Sequence, residues 1–172
     1  MKSREPISKW IANARPYEVL SLGLQMEVGA QYRYSKMAAA ADHRLARAKF
    51  RYLAAEEREH ARLLAAARRG MERPAKMRPL PVSLSEVRGR ARGDNPEAVL
   101  RLAIRAEKHS EKFYGQCSRL CRGPAARRLF EQMAEQEARH AAALREELGE
   151  LRGEFAWRSL EGTPPAEEDF WG

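Results

Sequence analysis

The sequence predicts an all-α protein: a four-helix bundle made of two repeated helical hairpins joined by a long crossover. Three observations predict it. Alanine, leucine, arginine and glutamate dominate the 172 residues and β-branched residues are scarce, which is a composition of helix formers. The strings Glu57-Arg58-Glu59-His60 and Glu137-Ala138-Arg139-His140 lie eighty residues apart. Each is preceded, thirty residues earlier, by a lone glutamate on an otherwise apolar stripe: Glu27 for the first and Glu107 for the second.

Taken in order, residues 1–15 read as a loose lead-in, with Trp10 and Ile11 available to dock on the bundle. Pro16 suits the first turn of a helix. From there to about Ala41 the stripe Leu20, Gly23, Glu27, Ala30, Tyr34, Met37, Ala41 repeats as a heptad. Asp42-His43-Arg44 is a short connection, and a second helix to about Arg69 carries Phe50, Leu53, Glu57, His60, Leu64 and Ala67 on one side. Gly70 ends it. Residues 70–95 hold prolines and glycines with a basic flavour and read as the crossover, with one helical turn at Ser83 to Arg88. An extended chain of that length spans a helix of roughly 40 Å. Asp94-Asn95-Pro96 is a helix start, and the third helix runs to about Cys121 through Leu100, Ala103, Glu107, Ser110, Tyr114 and Cys117. Gly123-Pro124 makes a turn, and the fourth helix carries Phe130, Met133, Glu137, His140 and Leu144 before fraying between Gly149 and Gly153. Residues 150–172, with Pro164-Pro165, an acidic cluster and Phe170-Trp171, read as a flexible tail. The bundle proper is thus residues 16–149, one domain long enough to bury a core.

Several function classes recede on composition. There is no run of eighteen apolar residues and no signal-like apolar stretch at the start, so the expected location is the cytoplasm. The net charge of +8 is spread along the helices, which reads as a solvated basic surface and gives no strong nucleic-acid or membrane signal. Cys117 and Cys121 form no disulfide framework and no paired zinc knuckle, and read as small buried hydrophobes. His43 and His109 lie off the stripes and read as surface.

Shifted by eighty, the halves 16–69 and 96–149 align without a gap. Pro16/Pro96, Leu20/Leu100, Glu27/Glu107, Tyr34/Tyr114, Phe50/Phe130, Glu57/Glu137, His60/His140 and Leu64/Leu144 are identical pairs. Chance matches in such a chain would fall on alanine and arginine, so these matches mark an internal repeat. The midpoints of Glu27 and Glu57 and of Glu107 and Glu137 fall at the two turns, which puts each lone glutamate level with the glutamate of its Glu-x-x-His string. Packing the stripes of both hairpins together brings four glutamates and two histidines to one level.

Four carboxylates in an apolar core need protons, cationic side chains or metal to balance them. No arginine or lysine sits on the inward stripes, and two divalent ions would balance four carboxylates. Glu at i and His at i+3 share a helix face, so Glu57 with His60, and Glu137 with His140, can reach one ion. Zinc favours more histidine or cysteine, and magnesium and calcium rarely take histidine. The oxygen-rich set with one nitrogen per metal suits two iron ions, or manganese or a mixed iron–manganese pair. The expected metal ligands are therefore Glu27, Glu57, His60, Glu107, Glu137 and His140, the reacting centre being the metal pair itself. Tyr34 and Tyr114, two turns past each lone glutamate, are placed to hydrogen-bond a carboxylate and orient it.

Glu27 with Tyr34, Glu57-Arg58-Glu59-His60, Glu107 with Phe113-Tyr114, Glu137-Ala138-Arg139-His140, and the run Asn95 to Ile104 before Glu107 resemble the rubrerythrin branch of the ferritin-like superfamily. The resemblance covers residues 16–149. It implies a ferritin-like di-iron bundle that reduces hydrogen peroxide or oxygen, or in relatives oxidises ferrous iron, assembled as a dimer or larger homo-oligomer. Two departures stand out. No paired CxxC motifs of a rubredoxin module occur in these residues, which implies an erythrin-like form with an unknown electron donor. Ser110 stands where rubrerythrins carry a further glutamate that exchanges with a histidine. Glu27-Val28-Gly29-Ala30 with Tyr34 is also similar to the first motif of ubiquinone-biosynthesis di-iron hydroxylases, although residues 70–95 lack their apolar docking segments. A binding protein with structural metals is the remaining alternative.

Overall fold

Proline opens three of the helices. Its fixed backbone angle suits a helix start, where the N–H it lacks would have no partner in any case. The computed structural model describes residues 6–41, 44–78, 96–121 and 123–161. Among them are five helices: α1 (Ile7–Asn13), α2 (Pro16–Ala40), α3 (Arg44–Arg68), α4 (Pro96–Leu120) and α5 (Pro124–Glu161). Helices α2 and α3 pack along their length as one hairpin, and α4 and α5 as the other. The hairpins meet through α2 against α4 and α3 against α5, and α1 lies on α4.

The first turn of α2 is tied at two points by a buried glutamate. Glu18 accepts the Arg15 backbone N–H at 2.9 Å and the Arg78 backbone N–H at 2.6 Å, so it caps the helix and anchors the chain leaving α3. Burial pushes its carboxyl up, but the hydrogen bonds from Arg15 and Arg78 prevail and hold it below its usual range. Gly70 takes φ +81°, the left-handed conformation with which α3 ends.

The apolar core comes in two bodies. At one end Leu20, Leu22, Leu64, Phe113, Cys117, Phe130 and Met133 pack with Trp10 and Ile11 of α1. At the other, Ala30, Met37, Phe50, Leu53, Leu100, Leu144 and Leu148 pack together. Each end takes the early half of one helix with the late half of its neighbour, so α2 and α4 run in opposite directions. Each fully buried leucine, such as Leu22 or Leu144, contributes about 2 kcal/mol relative to exposure.

Two boundaries differ from the expectation. Residues 7–13 are a helix and not a loose lead-in, because Trp10 and Ile11 dock in the core at 2% and 6% exposure and order the segment. The fourth bundle helix does not fray between Gly149 and Gly153 but continues to Glu161, so residues 150–161 are helical and not a flexible tail. Neither glycine adopts the left-handed conformation that would stop a helix, Leu148 is buried, and the Arg152 guanidinium reaches Glu97 of α4 at 2.7 Å. Asp42, His43, the turn expected at Ser83 to Arg88 and the aromatic pair Phe170-Trp171 lie outside the described residues. No helix among the described residues is long and apolar enough to cross a membrane.

Candidate metal centre

Between the two apolar bodies lies one polar layer. It consists of Glu27 from α2, Glu57 and His60 from α3, Glu107 from α4, and Glu137 and His140 from α5, all 5% exposed or less. The helical phase of each stripe points these side chains inward, and the matched distances from the two turns put them at one height. All six residues expected from the sequence therefore come together.

Their oxygens and nitrogens fall into two overlapping groups: Glu27, Glu57, His60 and Glu137, and Glu57, Glu107, Glu137 and His140. Within each group the donor atoms lie within 4.8 Å of one another. Glu57 and Glu137 belong to both, whereas each lone glutamate serves the group containing its own hairpin's histidine. His60 Nδ1 lies 3.1 Å from Glu137, 3.2 Å from Glu57 and 3.3 Å from Glu27. His140 Nδ1 lies 3.0 Å from Glu57 and 3.5 Å from Glu107. The two imidazoles stack with centroids 5.6 Å apart.

Hydrogen bonding leaves this layer incomplete. Among the described residues, Glu57 Oε1, Glu107 Oε2, Glu137 Oε1 and His140 Nδ1 are buried and make no well-aligned hydrogen bond, although an imidazole nitrogen stands 3.0 to 3.5 Å from each of the three oxygens. Such atoms are costly to leave unpaired. They converge on one another, and four carboxylates with two imidazole nitrogens form the donor set of a two-metal site in a helical bundle. The residues present fit a metal pair.

Charge within the protein's own groups is balanced by protons. Burial, then the facing Glu57 carboxylate, pushes Glu27 well above its ordinary value, and burial, then Glu27 and Glu57, does the same to Glu137. Burial also pushes Glu57 up, but His140 and His60 outweigh it and hold that carboxyl far below the usual range. Burial would lower both histidines, and their carboxylate neighbours reverse this. His60 is raised strongly, first by Glu137, and His140 to about 9, first by Glu107. A cation entering the layer therefore displaces protons.

The tyrosines hold carboxylates, and they do so across the bundle. Tyr34 of α2 donates its hydroxyl to Glu107 of the second hairpin, and Tyr114 of α4 donates to Glu27 of the first. Each ring stacks on a phenylalanine of its own hairpin, Tyr34 on Phe50 and Tyr114 on Phe130. Burial, and then the carboxylate it faces, keeps each hydroxyl well above its ordinary value, so both remain donors.

Three further groups were not read from the sequence. Gln136, next to Glu137 and off the stripe, meets His60 Nε2 with its Oε1 at 2.9 Å. Arg33 is buried beside Tyr34 although it lies off the inward stripe; the repeat places Phe113 there in the other hairpin. Glu18 has Ala98 as its counterpart, so the repeat gave no pointer to it, although an acidic residue in a first helical turn is a capping signal. Ser110 is buried one turn beyond Glu107, and no fifth glutamate joins the two groups among the described residues. Cys117 is a buried thiol, raised first by burial and then by Cys121, which is half-buried; both are unoxidised. His109 is exposed, and His43 lies outside the described residues.

Fold and polar layer together define a ferritin-like four-helix bundle with a buried carboxylate–histidine cluster compatible with metal. The rubrerythrin family model matches residues 18–89 and 98–165, stretches that begin at equivalent positions of the two repeats. The chain belongs to the rubrerythrin family. Among solved structures, a hypothetical protein from Pyrococcus furiosus superposes with a TM-score of 0.68 at 25% identity, covering 86% of this chain and 96% of that one. No curated protein matches.

Proposed function

We propose that the chain is a di-iron carboxylate oxidoreductase of rubrerythrin type that reduces hydrogen peroxide or oxygen. The observation that supports this best is the pair of overlapping donor groups sharing Glu57 and Glu137. Glu27 and His60 would hold one metal and Glu107 and His140 the other, with Glu57 and Glu137 common to both. When bound, a ferrous pair supplies the two electrons that, with two protons, turn one peroxide into two waters, and an external donor restores them. The protein's own part is to fix and dry the site. Tyr34 and Tyr114 keep Glu107 and Glu27 from rotating. The apolar bodies on either side exclude bulk water, which strengthens every charge interaction in the layer.

Ser110 favours a second reading. A hydroxyl in place of an exchangeable carboxylate leaves a fixed six-ligand set, which also suits oxidation of ferrous iron by oxygen. One experiment separates the readings. The metal-free chain is loaded anaerobically with ferrous iron, exposed to peroxide or to oxygen, and followed by optical absorbance and iron content. Two irons per chain, oxidised faster by peroxide, are the expected result. Oxygen-driven turnover of many ferrous ions per chain would make it an iron oxidase. Redox-inert zinc that iron cannot replace would make the metals structural.

A further inference from the structure

We infer that Gln136 is a positioning residue that makes the two halves of the centre unequal, so that the His60 half binds metal more tightly than the His140 half. The inference rests on the metal-site reading above. A neutral imidazole carries one N–H, and the nitrogen without it is the donor to metal. His60 turns Nδ1 toward Glu27, Glu57 and Glu137, all within 3.3 Å, and turns Nε2 outward to Gln136 Oε1 at 2.9 Å. With Nδ1 bound to a cation, Nε2 holds the proton, and the amide must present its oxygen. Gln136 thus selects the tautomer and fixes the ring plane together.

The helix supplying this support belongs to the opposite hairpin. One turn of α5 offers the shared Glu137 inward and Gln136 to the histidine of α3, so the clamp depends on the two hairpins being assembled. The repeat identifies the residue that would do the same for His140: Glu56, beside Glu57 on α3. Glu56 is half-buried, and no hydrogen bond from it to His140 exists among the described residues. Inward the two rings are alike, His140 Nδ1 lying 3.0 Å from Glu57 and His60 Nδ1 3.2 Å from it, so the difference is at the outer nitrogen, where Gln136 meets His60 alone among the described residues. Among the described residues, an otherwise symmetric ligand set is therefore supported on one side only. A carboxylate at 136 could accept the same hydrogen bond, but it would add a charge beside a layer that already holds four glutamates.

The test uses cobalt(II) as the probe on the full, metal-free chain. Calorimetric titration is expected to resolve a tighter and a weaker step. Gln136→Leu should weaken the tighter step about 10- to 100-fold, the range typical for loss of a hydrogen bond to a ligating histidine, and leave the weaker step in place. In the proton NMR spectrum of the cobalt-loaded protein, one hyperfine-shifted histidine N–H should exchange slowly with solvent. Gln136→Leu should make it fast, and Gln136→Glu, which keeps an acceptor oxygen, should restore slow exchange. A purely structural role would not give this rescue. Melting of the metal-free variants checks that they fold, and Gln136→Met serves in place of the leucine if they do not. Two equal steps in the wild type, or a slow N–H that survives in the leucine and methionine variants, would overturn the inference and leave the metal site intact. No cobalt binding in the wild type would overturn both.

Discussion

The two hairpins repeat the residues of the polar layer and differ on their outer faces. Inward, Glu27/Glu107, Tyr34/Tyr114, Phe50/Phe130, Glu57/Glu137 and His60/His140 repeat residue for residue. Outward, the same repeat positions diverge. The groove between α2 and α3 is lined by Gln31, Ser35, Ala38, Ala39, Arg51, Ala54, Ala55 and Arg58, and Val28 and Tyr32 are exposed on α2. The groove between α4 and α5 holds Arg105, Lys108, His109, Lys112 and Arg119 with Glu111 and Glu135. Lys108 and Lys112 occupy the repeat positions of Val28 and Tyr32. The proposed ligand set would need both halves, and a buried carboxylate without partners is too costly to tolerate. Exterior positions carry no such constraint, and charge and size differ there.

The largest test of that contrast is at the shared glutamates. Under the proposed ligand set, Glu57→Ala or Glu137→Ala would remove a ligand from both metal positions, so each should lose at least one metal, and the two variants should behave alike. Glu27→Ala and Glu107→Ala should each impair only the position of their own histidine. Metal analysis of iron-loaded variants decides this, and unequal behaviour of Glu57→Ala and Glu137→Ala would break the interior symmetry.

Acidity gives the next effect. His140 titrates near 9 in the fold against an ordinary value of about 6.5 for a chain without that environment, so the folded state binds the extra proton. A raised value stabilises below the unfolded one, and the gain is lost as pH rises through the folded one. Glu27 and Glu137, also raised, act with the same sign. Glu57, held low, acts oppositely, and its contribution is lost only as pH falls below its ordinary value of about 4.5, outside this range. The metal-free protein should therefore melt at progressively lower temperature from pH 6.5 to 9. Metal binding should tighten over the same range, because bound protons compete with the cation. Scanning calorimetry with and without metal measures both trends.

Smaller, and again symmetric, is the effect of removing one hydroxyl. Tyr34→Phe and Tyr114→Phe each delete a buried hydrogen bond to a carboxylate, with an expected loss of about 1.5–3 kcal/mol apiece. Urea denaturation should return similar values for the two. Smallest is the exterior: Val28→Lys and Tyr32→Lys, which copy the second hairpin's surface onto the first, should change stability by no more than about 0.5 kcal/mol and leave metal content unchanged.

The sequence made the interior legible because polar residues on apolar stripes are rare and here occur twice at one spacing. Glu27, Glu57, His60 and their counterparts needed only helical phase and distance from a turn to be placed at one level. Which glutamates are shared, and which tyrosine holds which glutamate, depends on how the hairpins face each other, and no local pattern records that. Gln136 escaped notice for the same reason, since its partner lies on another helix and its repeat counterpart is a glutamate. Gly149 and Gly153 misled because glycine marks a helix end only when its backbone turns left-handed, and tertiary contacts at Leu148 and Arg152 decided otherwise.

The crossed tyrosines have a mechanical consequence. A long connection between hairpins leaves their register to side-chain packing, and two hydrogen bonds add to what the buried leucines and aromatic rings supply. Displacement by one helical turn, about 5.4 Å, would separate Tyr34 from Glu107 and Tyr114 from Glu27 together, because the two bonds lie on opposite sides of the polar layer. The pair therefore works as a register lock with two teeth, and it holds the polar residues of the two hairpins at one height.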